Sequence, residues 1–185
     1  IDVAGEKYRV KLIFEDNRYT SKDAVTATNK LIFEDKVKFI AQFGTPCVLA
    51  AVPITEENKV VMTGVATVPG STPPGVKYSF RLLLTSAELV PTMYGWLNKK
   101  HPELKRCSFL ALNAEHGKFA AKTGAEEVRK YGREVVYAEL YEPGVMDFYP
   151  YLTKMIAAKP DVLDVCLGYP AHVGLILKQA RELGW

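Results

Sequence analysis

Apolar and polar positions along this chain switch repeatedly between a spacing of two and a spacing of three to four, the mark of strands alternating with helices. Tyr8 to Phe14 is apolar and branched enough for a strand, and Glu15-Asp16-Asn17 closes it with turn formers. Ser21 reads as an N-cap, and Ala24, Ala27, Thr28, Leu31 and Ile32 follow at i, i+3, i+4, i+7 and i+8, one helix face against a sheet. Val37 to Phe43 reads as a buried strand ending at Gly44, Val48 to Asn58 as a helix and Val60 to Val65 as a strand. After a loop carrying Pro69, Gly70, Pro73, Pro74 and Gly75, a strand is predicted over Tyr78 to Leu84. A helix follows from Ser86, with Leu89, Met93 and Leu97 on one face and Pro91 expected to perturb its early turns.

The second half alternates regularly. Strands are predicted over Cys107 to Leu112, Glu134 to Tyr141 and Val162 to Leu167. Helices are predicted over Glu115 to Tyr131, Asp147 to Ala158 and Ala171 to Leu183, with Gly132 and Gly184 placed as C-terminal stops. Phe148, Leu152, Met155 and Ile156 form a helix face that needs a sheet to cover it, and Phe14, Phe39, Phe80 and Phe109 are assigned to core. Short connections between alternating strands and helices mean parallel strands joined by crossovers, so the fold class is α/β, with parallel sheets flanked by helices. Such sheets bind ligands outside the carboxyl ends of their strands. That directs attention to the loops Phe43 to Val48, Val65 to Thr67, Asn113 to Lys118 and Gly168 to His172.

Composition narrows the function. With 48% hydrophobic and 24% charged residues among 185, the chain has material for one or two cores, which excludes disorder. A net charge of +3 gives no concentrated positive balance, so nucleic acid is not expected as a partner. The longest apolar stretch, Val48 to Ile54, falls far short of the roughly 20 residues that span a bilayer. No leader precedes Ile1, which reads as a cytosolic protein or a processed or trimmed piece. Cys47, Cys107 and Cys166 are too scattered for a disulfide framework or a zinc knuckle and read as small buried residues, with Cys47 kept in view because it follows Gly-Thr-Pro.

Motifs for catalysis are missing. No two glycines stand one residue apart, as a dinucleotide loop requires; Gly117-Lys118 lacks the flanking residues of a phosphate loop; and no serine sits in a nucleophile elbow. His101, His116 and His172 are far apart, so no metal and no cofactor are expected. Glu56-Glu57 and Glu126-Glu127 are adjacent pairs that point about 100° apart on a helix and read as solvated faces. Elimination leaves a binding function on an α/β scaffold, with no catalytic residue.

A run of segments then carries a resemblance: "YRVKLIFEDN" with "DAVTATNKLI", "GTPCVLAAVPITEE" with "VVMTGVAT", "KYSFRLL", "EPGVMDFYPYLTKMIAAKPDVL" and "GLILKQARELG". Each is loose, but their order and spacing resemble the type I periplasmic solute-binding proteins, the leucine/isoleucine/valine receptor branch that serves ABC importers. The resemblance implies two Rossmann-like lobes closing over a small solute and presenting the closed form to a membrane permease, without catalysis. It places the first lobe at 1–84 and the second at 85–185, both partial. It also implies a strand and helix before Ile1 and further sequence after Trp185, so that about half a protein is present. Apolar helix faces left partly uncovered by that truncation, such as Val173, Ile176 and Leu177, imply either that the remainder was cleaved or that another copy of the chain covers the surface by self-association.

By the same resemblance, Gly44, Cys47 and Val48 match the first-lobe loop where a hydroxyl and backbone amides hold a solute carboxylate, with Cys47-Val48 standing where hydroxyl residues are usual. Val65, Ala66 and Thr67 match the next contact loop; His116 takes an aromatic position in "N-x-x-Y-G"; Tyr169 matches an aromatic that closes over the ligand. Read from the residues alone, His116 equally begins a helix in solvent, Tyr169 packs as core, Thr67 forms a turn, and Cys47-Val48 only pack. The resemblance implies a receptor in the periplasm or tethered outside the cell, taking an amino acid or an aromatic or aliphatic acid. Two other classes share the fold: a ligand-sensing domain of a regulator, and a flavodoxin-like or dinucleotide enzyme, against which the absent glycine fingerprint argues.

Overall fold

Left-handed backbone at Ala4 (φ 52°) and Gly5 (φ 83°) folds the start of the chain into a hairpin of β1 (Asp2–Val3) and β2 (Glu6–Lys7). The structure, a computed structural model, describes residues 1–166 and 168–185, and the chain divides into two compact units. The first comprises Ile1–Val65 and Ser71–Leu82; the second, Ala66–Gly70 and Leu83–Trp185.

In the first unit, α1 (Ser21–Asn29) is capped one residue earlier than expected: Thr20 is the N-cap, its hydroxyl accepting the Asp23 N–H at 3.1 Å, while Ser21 Oγ donates to the Pro46 carbonyl. Its buried face, Ala24, Ala27 and Thr28, packs on α2 (Thr45–Glu57), and the helix runs on into a π-helical turn over Lys30–Glu34. Strands β3 (Phe39–Phe43), β4 (Val61–Val65) and β5 (Ser79–Arg81) form a parallel sheet in that order. Ile40, Met62 and Ser79 are paired neighbours on the face that meets α2, where Ser79 Oγ lies 3.2 Å from Thr55 Oγ1. Gly64 lies on that face too, and a Cβ there would stand 2.9 Å from Val48 Cγ1. The opposite face carries Phe39, Ala41, Phe43 and Phe80, all exposed, Phe39 by 75%. The core positions expected at Phe14, Phe39 and Phe80 are therefore corrected: nothing in the described chain covers that side of the sheet.

The strand expected over Tyr8–Phe14 is not formed either. Among the described residues no backbone–backbone hydrogen bond joins residues 9–16 to another segment, and a cavity of about 530 Å³ is lined by Val10–Glu15 together with Phe39–Gln42 of β3. A strand needs a neighbouring backbone at about 4.8 Å, and here the space beside an otherwise suitable sequence is empty of chain.

The second unit builds both layers. β6 (Arg106–Leu112) lies between β7 (Glu134–Tyr141) and β8 (Val162–Asp164), all parallel. Cys107, Phe109 and Ala111 face α3 (Ser86–Lys100) and α4 (Glu115–Lys130), packing on Val90, Tyr94, Ala120 and Val128. Leu110 and Leu112 face α5 (Tyr149–Ala157) and α6 (Pro170–Glu182), packing on Phe148, Leu152, Met155 and Ile176, so Ile176, expected on an uncovered helix face, is corrected to core: the α5 layer and the sheet cover it. β8 was expected to run to Leu167, which lies outside the described residues. Pro91 leaves α3 unbroken: a capping box at Thr85 and Glu88 starts the helix, and Ser86 donates N–H and Oγ–H to the Thr67 carbonyl at 2.7 and 3.1 Å. Two glycines let α4 close on β6; a Cβ at Gly117 would lie 2.2 Å from the Leu112 carbonyl oxygen, and one at Gly124 would lie 2.5 Å from the Phe109 ring.

The amino end of this sheet is clipped shut. Asp161 accepts the N–H groups of Lys105 and Arg106 at 2.7 and 2.8 Å, and the Arg106 guanidinium donates to the Lys159 and Ala158 carbonyls and to Glu134. Toward the other end, Tyr94 donates its hydroxyl proton to Asp164 at 2.9 Å, and the second oxygen of Asp164 accepts the Cys166 N–H at 2.7 Å.

Candidate functional site

The loops singled out from the sequence do stand at carboxyl ends of parallel strands. Gly44 ends β3 and starts α2; its φ of 99° and the Tyr19 ring, 2.7 Å from where a Cβ would be, both demand glycine. Its N–H donates to the Val65 carbonyl at 3.1 Å, joining the ends of β3 and β4. Tyr19 is held over Gly44 by a turn in left-handed backbone (Arg18 φ 45°, Tyr19 φ 57°), in which Asp16 and Asn17 side chains accept the next N–H groups and Asn17 Nδ2 donates to Phe43 O.

Cys47 and Val48 present different groups from those the motif position suggests. The Cys47 thiol is buried, pushed up in pKa by that burial and by Asp23, and lies 3.7 Å from the Thr20 carbonyl. Val48 packs its side chain beneath Gly64 and donates its N–H to the Gly44 carbonyl at 2.8 Å. Both side chains belong to the helix–sheet interior. Val65 is half-buried at the end of β4, Ala66 is buried, and Thr67 is half-buried with its carbonyl fastened to the start of α3.

In the second unit, His116 and Tyr169 come together. His116 sits in the first turn of α4, buried, and its burial holds the imidazole below the usual histidine pKa, favouring the neutral ring. Tyr169 is the half-buried N-cap of α6, its ring centroid 6.1 Å from that of His116. Sequence reasoning named these two as candidate contacts and gave no binding role to the rings behind them, Tyr141, Phe148 and His172. His172, in the first turn of α6, stacks edge-on against Tyr169 at 5.3 Å and against Tyr141 at 5.5 Å, with Phe148 at 5.8 Å. Burial pushes the Tyr141 hydroxyl up to about 12, with Cys166 and Tyr169 adding to it, so the phenol keeps its proton at neutral pH. A histidine three residues after Tyr169 on a helix start was the available signal; a tyrosine at a strand end gave none.

Among the described residues no group of three or more His, Cys, Asp and Glu could hold a metal, and no helix is long and apolar enough to cross a membrane. What the arrangement offers is glycine-shaped backbone, helix starts and aromatic rings: surfaces for holding a molecule.

A family profile described as periplasmic binding protein matches residues 2–185. The chain belongs to that family. It is 30% identical over 186 residues to Leu/Ile/Val-binding protein homolog 3 of Brucella melitensis biotype 1, covering 98% of this chain and 49% of the relative. A solute binding protein of an ABC transporter from Rhodopseudomonas palustris BisB5, solved with 3,4-dihydroxy benzoic acid, matches at 27% identity and TM-score 0.80 over 98% of this chain and 49% of that one. A leucine binding protein from Thermotoga maritima matches at 26% identity and TM-score 0.81 over 92% and 48%. The α/β fold with helix-flanked parallel sheets is thus that of the periplasmic binding proteins, and the chain spans about half the length of these relatives. The named relatives are binding proteins, not enzymes.

Proposed function

We propose that this periplasmic binding protein is the solute receptor of an ABC uptake system, acting in the periplasm or outside the cell and taking a small carboxylate-bearing solute, an amino acid or an aromatic acid. Its two lobes are read as 1–84 and 85–185, near the division into units except that Ala66–Gly70 group with the second, and its membrane partner as the permease. The observation that carries the reading is the placement of Gly44, Val65, His116 and Tyr169 at the carboxyl ends of parallel strands, each beside a helix start or an aromatic ring. Helix N-termini favour anions, which suits a carboxylate. The relatives solved with or named for leucine and a dihydroxybenzoic acid support both solute types.

A thermal-shift screen of the protein against leucine, isoleucine, valine, benzoate and 4-hydroxybenzoate tests the reading. A solute at a hundred times its Kd stabilises the native state by about 2.7 kcal/mol, so at least one of these acids is expected to raise Tm where sodium chloride of equal ionic strength does not. Tyr169→Ala should weaken that solute at least about tenfold, the loss of one well-placed polar or aromatic contact. A Tm raised by nucleotides or DNA and by none of the acids refutes the reading.

A further inference from the structure

In the ring cluster at the carboxyl end of the second unit's sheet, Tyr141 Oη and His172 Nδ1 are buried and have no hydrogen-bond partner among the described residues. Tyr141 is 0% exposed and His172 6%. The hydroxyl lies directly under the Gly168 Cα, since a Cβ on Gly168 would stand 2.9 Å from it, and Gly168 precedes the candidate contact Tyr169. Leaving a buried hydroxyl or imidazole nitrogen unbonded is costly, and phenylalanine would fill either position without that cost. Their neighbours are rings: Tyr141 meets Phe148 and His172, and His172 meets Tyr169 and Phe148, all at centroid distances of 5.0 to 5.8 Å.

We propose that Tyr141 and His172 are specificity-determining residues that bind the oxygen of a ring hydroxyl, making hydroxylated aromatic acids the solute class of this protein. The proposal rests on the solute-binding reading above and deepens it. A phenolic O–H and an imidazole nitrogen each donate or accept, so together they match a group that also does both. The surrounding rings supply edges and faces to an aromatic solute. The cluster of His116, Tyr141, Phe148, Tyr169 and His172 contains no carboxylate, so an ammonium group placed there would be desolvated without a counter-charge, whereas a neutral hydroxyl needs none. A site built to hydrogen-bond a solute hydroxyl also rejects the analogue that lacks it, because the protein's own groups then stay unpaired.

Calorimetric titration of the protein with 4-hydroxybenzoate, benzoate and leucine, repeated on Tyr141→Phe and His172→Phe, tests this. The expected result is a preference for 4-hydroxybenzoate over benzoate of about tenfold or more, falling to near one in either variant. A preference that survives both substitutions, or leucine binding more tightly than both aromatic acids, overturns the proposal while leaving the receptor reading intact. Failure of all acids, amino acids included, to bind the folded protein removes the receptor reading itself, and the proposal with it. Thermal unfolding without solute gives a second readout. Tyr141→Phe should leave Tm unchanged or raise it, since it removes an unbonded hydroxyl; a fall of several degrees would show that the hydroxyl is already paired and overturns the assignment.

Discussion

Two phenylalanines on parallel strands meet opposite fates: Phe109, in the middle of β6, is 1% exposed and Phe39, at the start of β3, is 75% exposed. Both lie on strands in parallel register, β6 paired on each side and β3 an edge strand paired with β4 alone. The faces of the two sheets differ further in the third layer. The second unit covers both faces of its sheet, with α3 and α4 on one and α5 and α6 on the other, while the first covers one face with α2 and leaves the other bare. Burial of a strand residue is decided by what lies across the sheet, which strand-forming tendency does not specify.

The comparison breaks most directly by truncation. Phe109→Ala should cost about 3–5 kcal/mol in urea unfolding, by lost burial and by the cavity left between β6 and α4, whereas Phe39→Ala should stay within about 0.5 kcal/mol. Equal penalties would show that the first unit's open face is covered in solution. A smaller effect sharpens the contrast in tightness. Gly117→Ala pushes a methyl group onto the Leu112 carbonyl, which is backbone and cannot yield, and should cost at least about 3 kcal/mol; Gly64→Ala meets only the Val48 side chain and should cost about 1 kcal/mol.

The smallest effect is one in which the units should agree. Hydrogen bonds from the Arg106 and Lys105 N–H groups hold the Asp161 carboxyl below its ordinary pKa; burial would raise that of Glu56, but N–H donation from Lys77 and Tyr78 outweighs it and the net direction is also down. Carboxylates depressed on folding stabilise the native state above their unfolded values of about 3.9 and 4.3, and that support is lost as pH falls through the folded values. Glu56→Gln and Asp161→Asn should each lower Tm slightly at pH 7 and flatten its decline between about pH 5 and pH 3, so that variant and wild type converge in acid; a decline as steep as wild type in both variants would remove the two carboxylates from the acid response.

Most of the second unit was legible because both of its sheet faces are covered. Continuous apolar runs such as Cys107 to Leu112 then mark strands, and β7 spans Glu134–Tyr141 as read from the sequence. The first unit misled where an element depends on a neighbour. Val10 to Phe14 has the composition of a strand but no backbone beside it, and Phe14, Phe39 and Phe80 have the composition of core but no layer above them. The candidate site divided in the same way. The backbone role of Gly44 was legible because a glycine after a strand and before a helix has a backbone reason to be there. The unbonded atoms of Tyr141 and His172 were not, because whether a buried polar atom has a partner is a property of the packed molecule.

Helix α3 has one further consequence. Its first turn hangs from the Thr67 carbonyl through Ser86, and its middle is tied through Tyr94 and Asp164 to the turn at Cys166, close in sequence to Tyr169. One rigid rod therefore spans two candidate contact loops that are a hundred residues apart in the chain. Substitutions at Thr67 and Tyr169 will not combine as independent losses, and a double-mutant cycle across them reads the stiffness of that rod.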